Sequence, residues 1–271
     1  YTTLFRSMAM FGNYYVFDSI SPLADVLKNQ LNFSDANIGL LNAIYSFPNI
    51  IMVLVGGYII DRIGARKASL IFSVLCLAGA AITTLKGSLP LMAAGRLVFG
   101  LGAESLIVGI TTVIAKWFKG KELSLAFGLN LTLSRLGTFS ALNSPYFARS
   151  LYDHWQHPLF LSTGAAVISV IAVIVYYSLE VRAEKQYQLG EPEEVDKIRF
   201  KDILELNPAF WYISLLCVTF YSAIFPFQTF AVKFFQDHHG LTREMAGFTS
   251  SIITFASMIG TPIFGYMIDR I

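Results

Sequence analysis

Charged residues are scarce in this chain, at 14% of its 271 residues, whereas ordinary globular proteins carry roughly a quarter. Hydrophobic residues make up 55% of the sequence, and the mean hydropathy is +0.57. The net charge of +2 lacks the strongly basic balance typical of nucleic-acid-binding proteins, so no nucleic-acid partner is expected. The composition therefore predicts an integral membrane protein in contact with the lipid bilayer.

Motifs for enzyme chemistry are also missing. The two cysteines, Cys76 and Cys217, stand alone in apolar runs, which excludes a disulfide framework and a zinc-ligand spacing. The sequence contains no Gly-rich phosphate loop and no nucleophile elbow. The histidines fall in predicted outer loops, where solvated side chains are the simplest interpretation. The sequence thus predicts no enzyme, no cofactor and no metal site.

Eight apolar stretches are each long enough to cross a hydrocarbon core, which takes about 20 helical residues. They predict an all-α integral membrane fold. If the amino terminus is inside, thirteen Lys and Arg residues fall on the inner side and five on the outer side. Because inner loops are enriched in such residues, both ends of the chain are expected to face the cytoplasm. The predicted spans are Leu4–Lys28, Asn37–Ile60, Ala68–Lys86, Leu91–Ala115, Leu123–Phe147, Leu159–Leu179, Pro208–Val232 and Met245–Ile268.

The chain repeats part of its own sequence. Gly57–Ile63 reads GYIIDRI, and Gly265–Ile271 reads GYMIDRI, 208 residues later. At the same offset Ser34 aligns with Thr242, so the last two spans repeat the first two. Two six-span halves related as parallel repeats are the architecture of major facilitator transporters.

This repeat, with the only long polar stretch of the sequence, predicts the domain organisation. Residues 1–179 form an amino-terminal half of six helices, and residues 180–207 form a cytoplasmic linker between the halves. Residues 208–271 form the first two helices of a second half. Because both ends adjoin membrane segments directly, we expect a truncated fold that lacks the last four helices of a complete transporter.

Opposite charges lie near the middle of two adjacent predicted helices. Glu104 is in the fourth span and Arg135 in the fifth, and Asp18 lies at similar depth in the first. A charge at the bilayer centre costs a few kcal/mol and usually persists only when it is paired or faces a polar cavity. The pair either fixes helix packing or forms a substrate site, with Tyr15, Tyr45 and Tyr221 as a candidate aromatic wall beside Tyr14 and Phe225.

The loop after the second span, GYIIDRIGARK, resembles a short cytoplasmic signature of the major facilitator superfamily. The resemblance implies a tight turn at Gly64 and an Asp61 that contacts helix ends or basic groups of the other half. The loop would then hold the outward-facing state. A fourth-span pattern that begins at Arg96 also resembles the family. The residues of this predicted gating motif are Gly57, Asp61, Arg62, Gly64, Arg66, Lys67, Arg96, Asp269 and Arg270.

Within that superfamily, the stretch from GRLVFGLGAESL to SRLG resembles the lysosomal dipeptide uniporter branch. The resemblance implies passive movement of dipeptides across the membrane of an acidic organelle, and a glycosylated accessory subunit in a eukaryotic host. It also implies that Glu104 and Arg135 hold the peptide termini, with Asp18 as a weaker candidate. A bacterial relative would lie in the cytoplasmic membrane.

Three functions are therefore open. The first is an alternating-access transporter of dipeptides or similar small zwitterions. The second is a proton-coupled symporter of small organic anions, in which Arg135 binds the carboxylate and Glu104 or Asp18 carries the proton. The third is a membrane receptor or scaffold that transports nothing.

Overall fold

The computed structural model describes residues 2–118, 122–187 and 206–270, with the side chains of 2–6 and 183–187 excepted. Within these ranges the chain is helical and contains no strand, as predicted. Most of the predicted linker at 180–207 lies outside the described residues, but its first part, to Tyr187, continues a membrane helix. The helices are α1 Thr2–Asp18, α2 Ala24–Leu31, α3 Asp35–Ala43, α4 Ser46–Ile63, α5 Ala65–Leu85, α6 Leu89–Phe118, α7 Leu123–Phe147, α8 Gln156–Tyr187, α9 Pro208–His239 and α10 Arg243–Ile268, with short 3₁₀ helices at Ser21–Leu23 and Arg149–Asp153.

The first predicted span is not one continuous helix. α1 ends at Asp18, a 3₁₀ turn follows at Ser21–Leu23, and α2 completes the crossing. Pro22 lies in this turn, where its missing N–H and fixed φ oppose a continuous α-helix. The break leaves the carbonyl groups at the end of α1 without partners inside the helix.

The second predicted span is also divided, at the position of a proline. α3 ends at Ala43 and α4 begins at Ser46, two residues before Pro48. Pro226 and Pro262 mark no such division. Both lie inside helices that run on without a break, α9 and α10.

Small residues bring the helices of the first half into close contact. A methyl group added at Gly79 of α5 would lie 2.3 Å from the backbone nitrogen of Phe99, and one added at Gly95 of α6 would lie 2.4 Å from Thr83 Oγ1. Membrane helices gain most of their association energy from such close packing, because lipid is as apolar as their side chains. α5 and α6 therefore form a rigid pair behind the site described below.

Six of the eight predicted spans are long and apolar enough to cross a membrane, judged by length and composition over the described residues. Two predicted spans do not meet this criterion. The first predicted span is divided at Pro22, and the fifth, α7, contains several polar residues. α7 lies between the two halves, where Asn143 donates to Ser251 Oγ at 2.9 Å and Thr132 donates to the Met258 carbonyl at 3.0 Å. Two of its polar side chains thus form hydrogen bonds with α10.

The repeat in the sequence is also a repeat of backbone geometry. Asn32 (φ +55°) and Gly240 (φ +63°), 208 residues apart, each end a helix in the left-handed conformation. Two residues later, Ser34 and Thr242 each cap the next helix by accepting a backbone hydrogen bond three residues ahead. The outer turns of the two repeats therefore share one local structure.

Candidate functional site

Arg96 joins the broken first span to the second span and to α6. Its guanidinium donates to the carbonyl oxygens of Val16 at 3.1 Å, Phe17 at 3.0 Å and Leu41 at 2.9 Å, and only 2% of the residue is exposed. A cation at the carboxyl end of a helix also offsets the negative end of its dipole. Arg96 is thus buried in the interior, where it stabilises the break after α1. It lies away from the loop residues that were predicted to form the gating motif with it.

A small cavity lies between α1, the turn between α3 and α4, α6 and α9. Its volume is about 50 Å³, room for a water molecule or two. Glu104, half-buried, is the acidic residue of its wall. The full lining is Asn13, Tyr14, Phe17, Tyr45, Phe99, Ala103, Glu104, Ile107 and Phe225.

Glu104 lines this cavity and Arg135 does not, but both lie close to Tyr14. The Arg135 guanidinium carbon lies 5.8 Å from the Tyr14 ring centroid, and Tyr14 is within electrostatic reach of both charges. No salt bridge within 4.0 Å joins the two side chains, both of which the structure describes. The two charges are therefore neighbours that do not neutralise each other by direct contact.

Asp18 and Tyr15 lie on another face of α1 from the cavity. Asp18 is buried and faces Thr138 of α7, within electrostatic reach of Arg135 and Arg96. Tyr15 packs in a cluster with Ala141 and Ala165. Neither lines the cavity, so the structure does not bring the whole predicted set together.

The aromatic wall follows the prediction in part. Tyr45 lines the cavity, and its ring meets that of Phe17 edge-on at 4.6 Å between centroids. Tyr221 stacks on Phe225 at 5.2 Å, and only Phe225 of the two reaches the cavity. Tyr221 is 40% exposed and does not line the cavity.

Two lining residues of α1 escaped the sequence reasoning. Asn13 donates to the Ala103 carbonyl at 3.4 Å and accepts from the Cys76 thiol, so its amide spans α1, α5 and α6. Phe17 places its ring beside Arg96 and Tyr45. An amide in the middle of an apolar helix was the signal that could have identified Asn13.

The predicted loop motif forms the turn between α4 and α5. Gly64 adopts φ +84°, a region open to glycine and strained for other residues. Arg66 places its guanidinium carbon 4.9 Å from the Tyr177 ring centroid of α8. The exposed residues of this turn are Asp61, Arg62 and Lys67, and a side chain at Gly57 would meet open space.

The repeated copy of the motif makes a contact between the halves. Asp269, at the end of α10, accepts hydrogen bonds from the backbone N–H groups of Ser124 at 3.0 Å and Leu125 at 2.8 Å. These groups are free donors at the first turn of α7, where the helix dipole favours an anion. Desolvation alone would raise the pKa of the Asp269 carboxyl, but these donors outweigh it and hold the pKa below its ordinary value. Arg270 lies over the ring of Tyr266.

Known proteins are similar in sequence to this chain over nearly its whole length. Residues 7–271 match the Major Facilitator Superfamily. The lysosomal dipeptide transporter MFSD1 of Danio rerio is 31% identical over 98% of this chain, and that of Homo sapiens is 31% identical over 96%. The probable sulfoacetate transporter SauU of Cupriavidus necator is 18% identical over 93%.

The chain spans 61% of the Danio rerio protein and 59% of the human protein. The predicted membrane class and the predicted branch are both confirmed by these matches. The truncated all-helical fold agrees with them, because the matched length ends well short of the relatives' full length. The chain belongs to the major facilitator superfamily.

Proposed function

We propose that the chain is the first part of an alternating-access transporter that carries dipeptides or similar small zwitterions. Residues 1–179 form its first half, residues 180–207 the linker, and residues 208–271 the start of the second half. The observation that carries the proposal is the placement of Glu104 and Arg135. Glu104 lines the cavity, Arg135 lies beside the cavity-lining Tyr14, and no salt bridge joins the two side chains.

Two unpaired opposite charges fit a substrate that carries both charges itself. Glu104 binds the ammonium end of a dipeptide, and Arg135 binds its carboxylate through the planar fork of its guanidinium. The apolar and aromatic remainder of the wall, including Phe17 and Phe225, accepts side chains of varied shape. The relatives named as dipeptide transporters support the same substrate class.

The cavity must widen before it holds such a substrate. Its volume of about 50 Å³ is far below the roughly 300 Å³ or more of usual ligand pockets. A cavity this small is the expected form of a transporter between its two open states.

Localisation and partners follow from the same proposal. In a eukaryotic host the protein would lie in the lysosomal membrane, as the relatives' names indicate, with a glycosylated accessory subunit. In a bacterial host it would lie in the cytoplasmic membrane.

The experiment is dipeptide flux through the complete transporter in reconstituted vesicles. Glu104→Gln and Arg135→Gln are each expected to lower the flux of labelled dialanine by about tenfold or more, since each removes a charge-assisted contact to one terminus. Lys86→Gln is the matched control, because Lys86 is exposed and forms no salt bridge with another described residue. Flux that is unchanged in both Glu104→Gln and Arg135→Gln would refute the proposal.

A second function is favoured by the buried Asp18. This carboxylate lies 4% exposed beside Thr138, and the described residues include no salt-bridge partner for it. A buried carboxylate near an arginine is a suitable proton carrier for a symporter of organic anions, with Arg135 as the anion site. The flux assay separates the two functions. In a symporter, an imposed pH gradient would drive anion accumulation, and Asp18→Asn would abolish this accumulation. Facilitated dipeptide flux needs no pH gradient.

A further inference from the structure

The outer ends of the two repeats are joined by ion pairs that the internal repeat relates to each other. Arg243 of α10 binds Asp25 of α2 through two nitrogens, with Nε 3.0 Å from both carboxylate oxygens and Nη2 2.6 Å from one of them. Lys233 of α9 lies 3.5 Å from Asp35 of α3. Each pair connects the first repeat to the second.

The four residues occupy equivalent positions in the two repeats. Asp25 and Lys233 are 208 residues apart, and so are Asp35 and Arg243. Residue 25 contacts 243, and its counterpart 233 contacts 35. This reciprocal pattern is that of a two-fold contact, in which residue i meets j and j meets i.

The charges at these equivalent positions have opposite signs in the two repeats. Had both repeats kept acids at these positions, the same geometry would set aspartate against aspartate in both contacts. Here the first repeat supplies both acids and the second repeat both bases. The outer faces of the two repeats therefore attract each other at two equivalent points, and these ion pairs favour the closed outer side.

We infer that Asp25–Arg243 and Asp35–Lys233 form a two-fold outer gate that holds the outer mouth shut and must break for it to open. The inference rests on the proposed alternating-access function. The Asp25 pair is the stronger of the two. It is bidentate, it receives a further hydrogen bond from Gln236 at 3.4 Å, and its side chains are 24% and 26% exposed.

The Asp35 pair is looser and more solvated. The Asp35 side chain is 54% exposed, and it is shared with Lys28 of its own repeat at 3.1 Å. Lys233 also contacts Asp237 on its own helix. We therefore expect the two pairs to contribute unequally to closure in spite of their symmetry.

The test measures access to the cavity from the outer side without any substrate. A reporter cysteine replaces Ala103, which lines the cavity, in the complete transporter freed of other reactive cysteines, including the exposed Cys217. A membrane-impermeant maleimide is added from outside, and its labelling rate reports the outward-open fraction. Asp25→Asn is expected to raise the rate about fivefold, and Asp35→Asn about twofold.

The decisive experiment exchanges the two charges of the Asp25–Arg243 pair. Arg243→Asp alone is expected to raise labelling, and Asp25→Arg combined with Arg243→Asp is expected to return it toward the wild-type rate. Lys86→Gln is the matched control, because Lys86 is exposed and contacts neither of the two pairs.

Unchanged labelling in both Asp25→Asn and Asp35→Asn would overturn the gate. So would a failure of the exchanged pair to lower the rate of the single Arg243→Asp variant, provided that all variants elute as the wild type does. Because labelling needs no transport, this result is independent of whether dialanine is carried.

Discussion

At the scale of single residues, Arg96 shows what a charge inside the membrane needs. It is enclosed by the rings of Phe17, Tyr45 and Phe99, with its guanidinium carbon 5.4–5.8 Å from their centroids. Its charge is satisfied by backbone carbonyl groups rather than by a carboxylate. The Val16 and Phe17 carbonyl groups are free because the first span breaks after Asp18, so the break and the buried cation stabilise each other.

Arg96 is therefore expected to be essential for stability. Arg96→Gln should lower the free energy of unfolding by about 3 kcal/mol, because it leaves several buried acceptors without donors. Arg96→Lys should recover part of this loss, since an ammonium keeps the charge but cannot reach all three carbonyl groups.

Thermal unfolding in detergent measures the effect as a lowered Tm. Lys86→Gln, at an exposed position without a salt bridge to another described residue, serves as the control and should leave Tm within error of the wild type. An Arg96→Gln protein as stable as the wild type would contradict this role.

The sequence could not predict which residues of α1 face the cavity, because helix periodicity is ambiguous there. Tyr14 and Tyr15 are adjacent and chemically alike, but about 100° apart around α1. Tyr14 faces the cavity and Tyr15 the packed interface with α7 and α8. No composition argument distinguishes them, because both sides of this helix are buried.

At the scale of helices, α7 and α10 form the seam between the halves. At the inner end of this seam, Asp269 caps α7 through the N–H groups of Ser124 and Leu125. The equivalent residue of the first repeat, Asp61, is exposed, and a contact of its own with the other half stays a prediction.

Asp269→Asn is expected to loosen the first turn of α7. An amide keeps one acceptor but loses the charge that strengthens both hydrogen bonds. Amide hydrogen exchange at Ser124 and Leu125 should become faster, while Asp61→Asn, the repeat-related control, should leave it unchanged. Equal exchange in the Asp269→Asn variant and the wild type would refute this cap.

The pH dependence of this contact has a definite sign. The pKa of Asp269 is lowered, so the contact is fully formed above the ordinary carboxylate pKa, near 4. It is lost only as the pH falls through the lowered value. The wild-type protein should therefore keep its protection at pH 5, and a loss of protection between pH 7 and 5 would contradict the assignment.

Helix existence could be predicted from hydropathy, but helix continuity could not. The long apolar runs predicted the spans. A proline alone does not decide continuity, because Pro48 follows a break between α3 and α4, whereas Pro226 and Pro262 lie in continuous helices. The break after α1 contains Pro22, but the cation that stabilises it, Arg96, belongs to another helix.

At the scale of the whole molecule, the repeat organises both faces. The outer ion pairs and the inner Asp269 contact are formed together, and the cavity between them holds about 50 Å³. Transport requires that one set of contacts opens while the other stays closed. The opposite signs at residues 25, 35, 233 and 243 were present in the sequence, and aligning the repeats over their outer turns would have revealed them.

The central claim is that Glu104 and Arg135 recognise the two charged ends of one substrate. The most direct measurement compares dialanine with N-acetyl-dialanine and dialanine amide as substrates of the complete transporter. The wild type is expected to prefer dialanine about tenfold over either blocked form. Glu104→Gln should lose the preference for a free amino end, and Arg135→Gln the preference for a free carboxylate. Blocked and free dialanine carried equally well by the wild type would contradict the account.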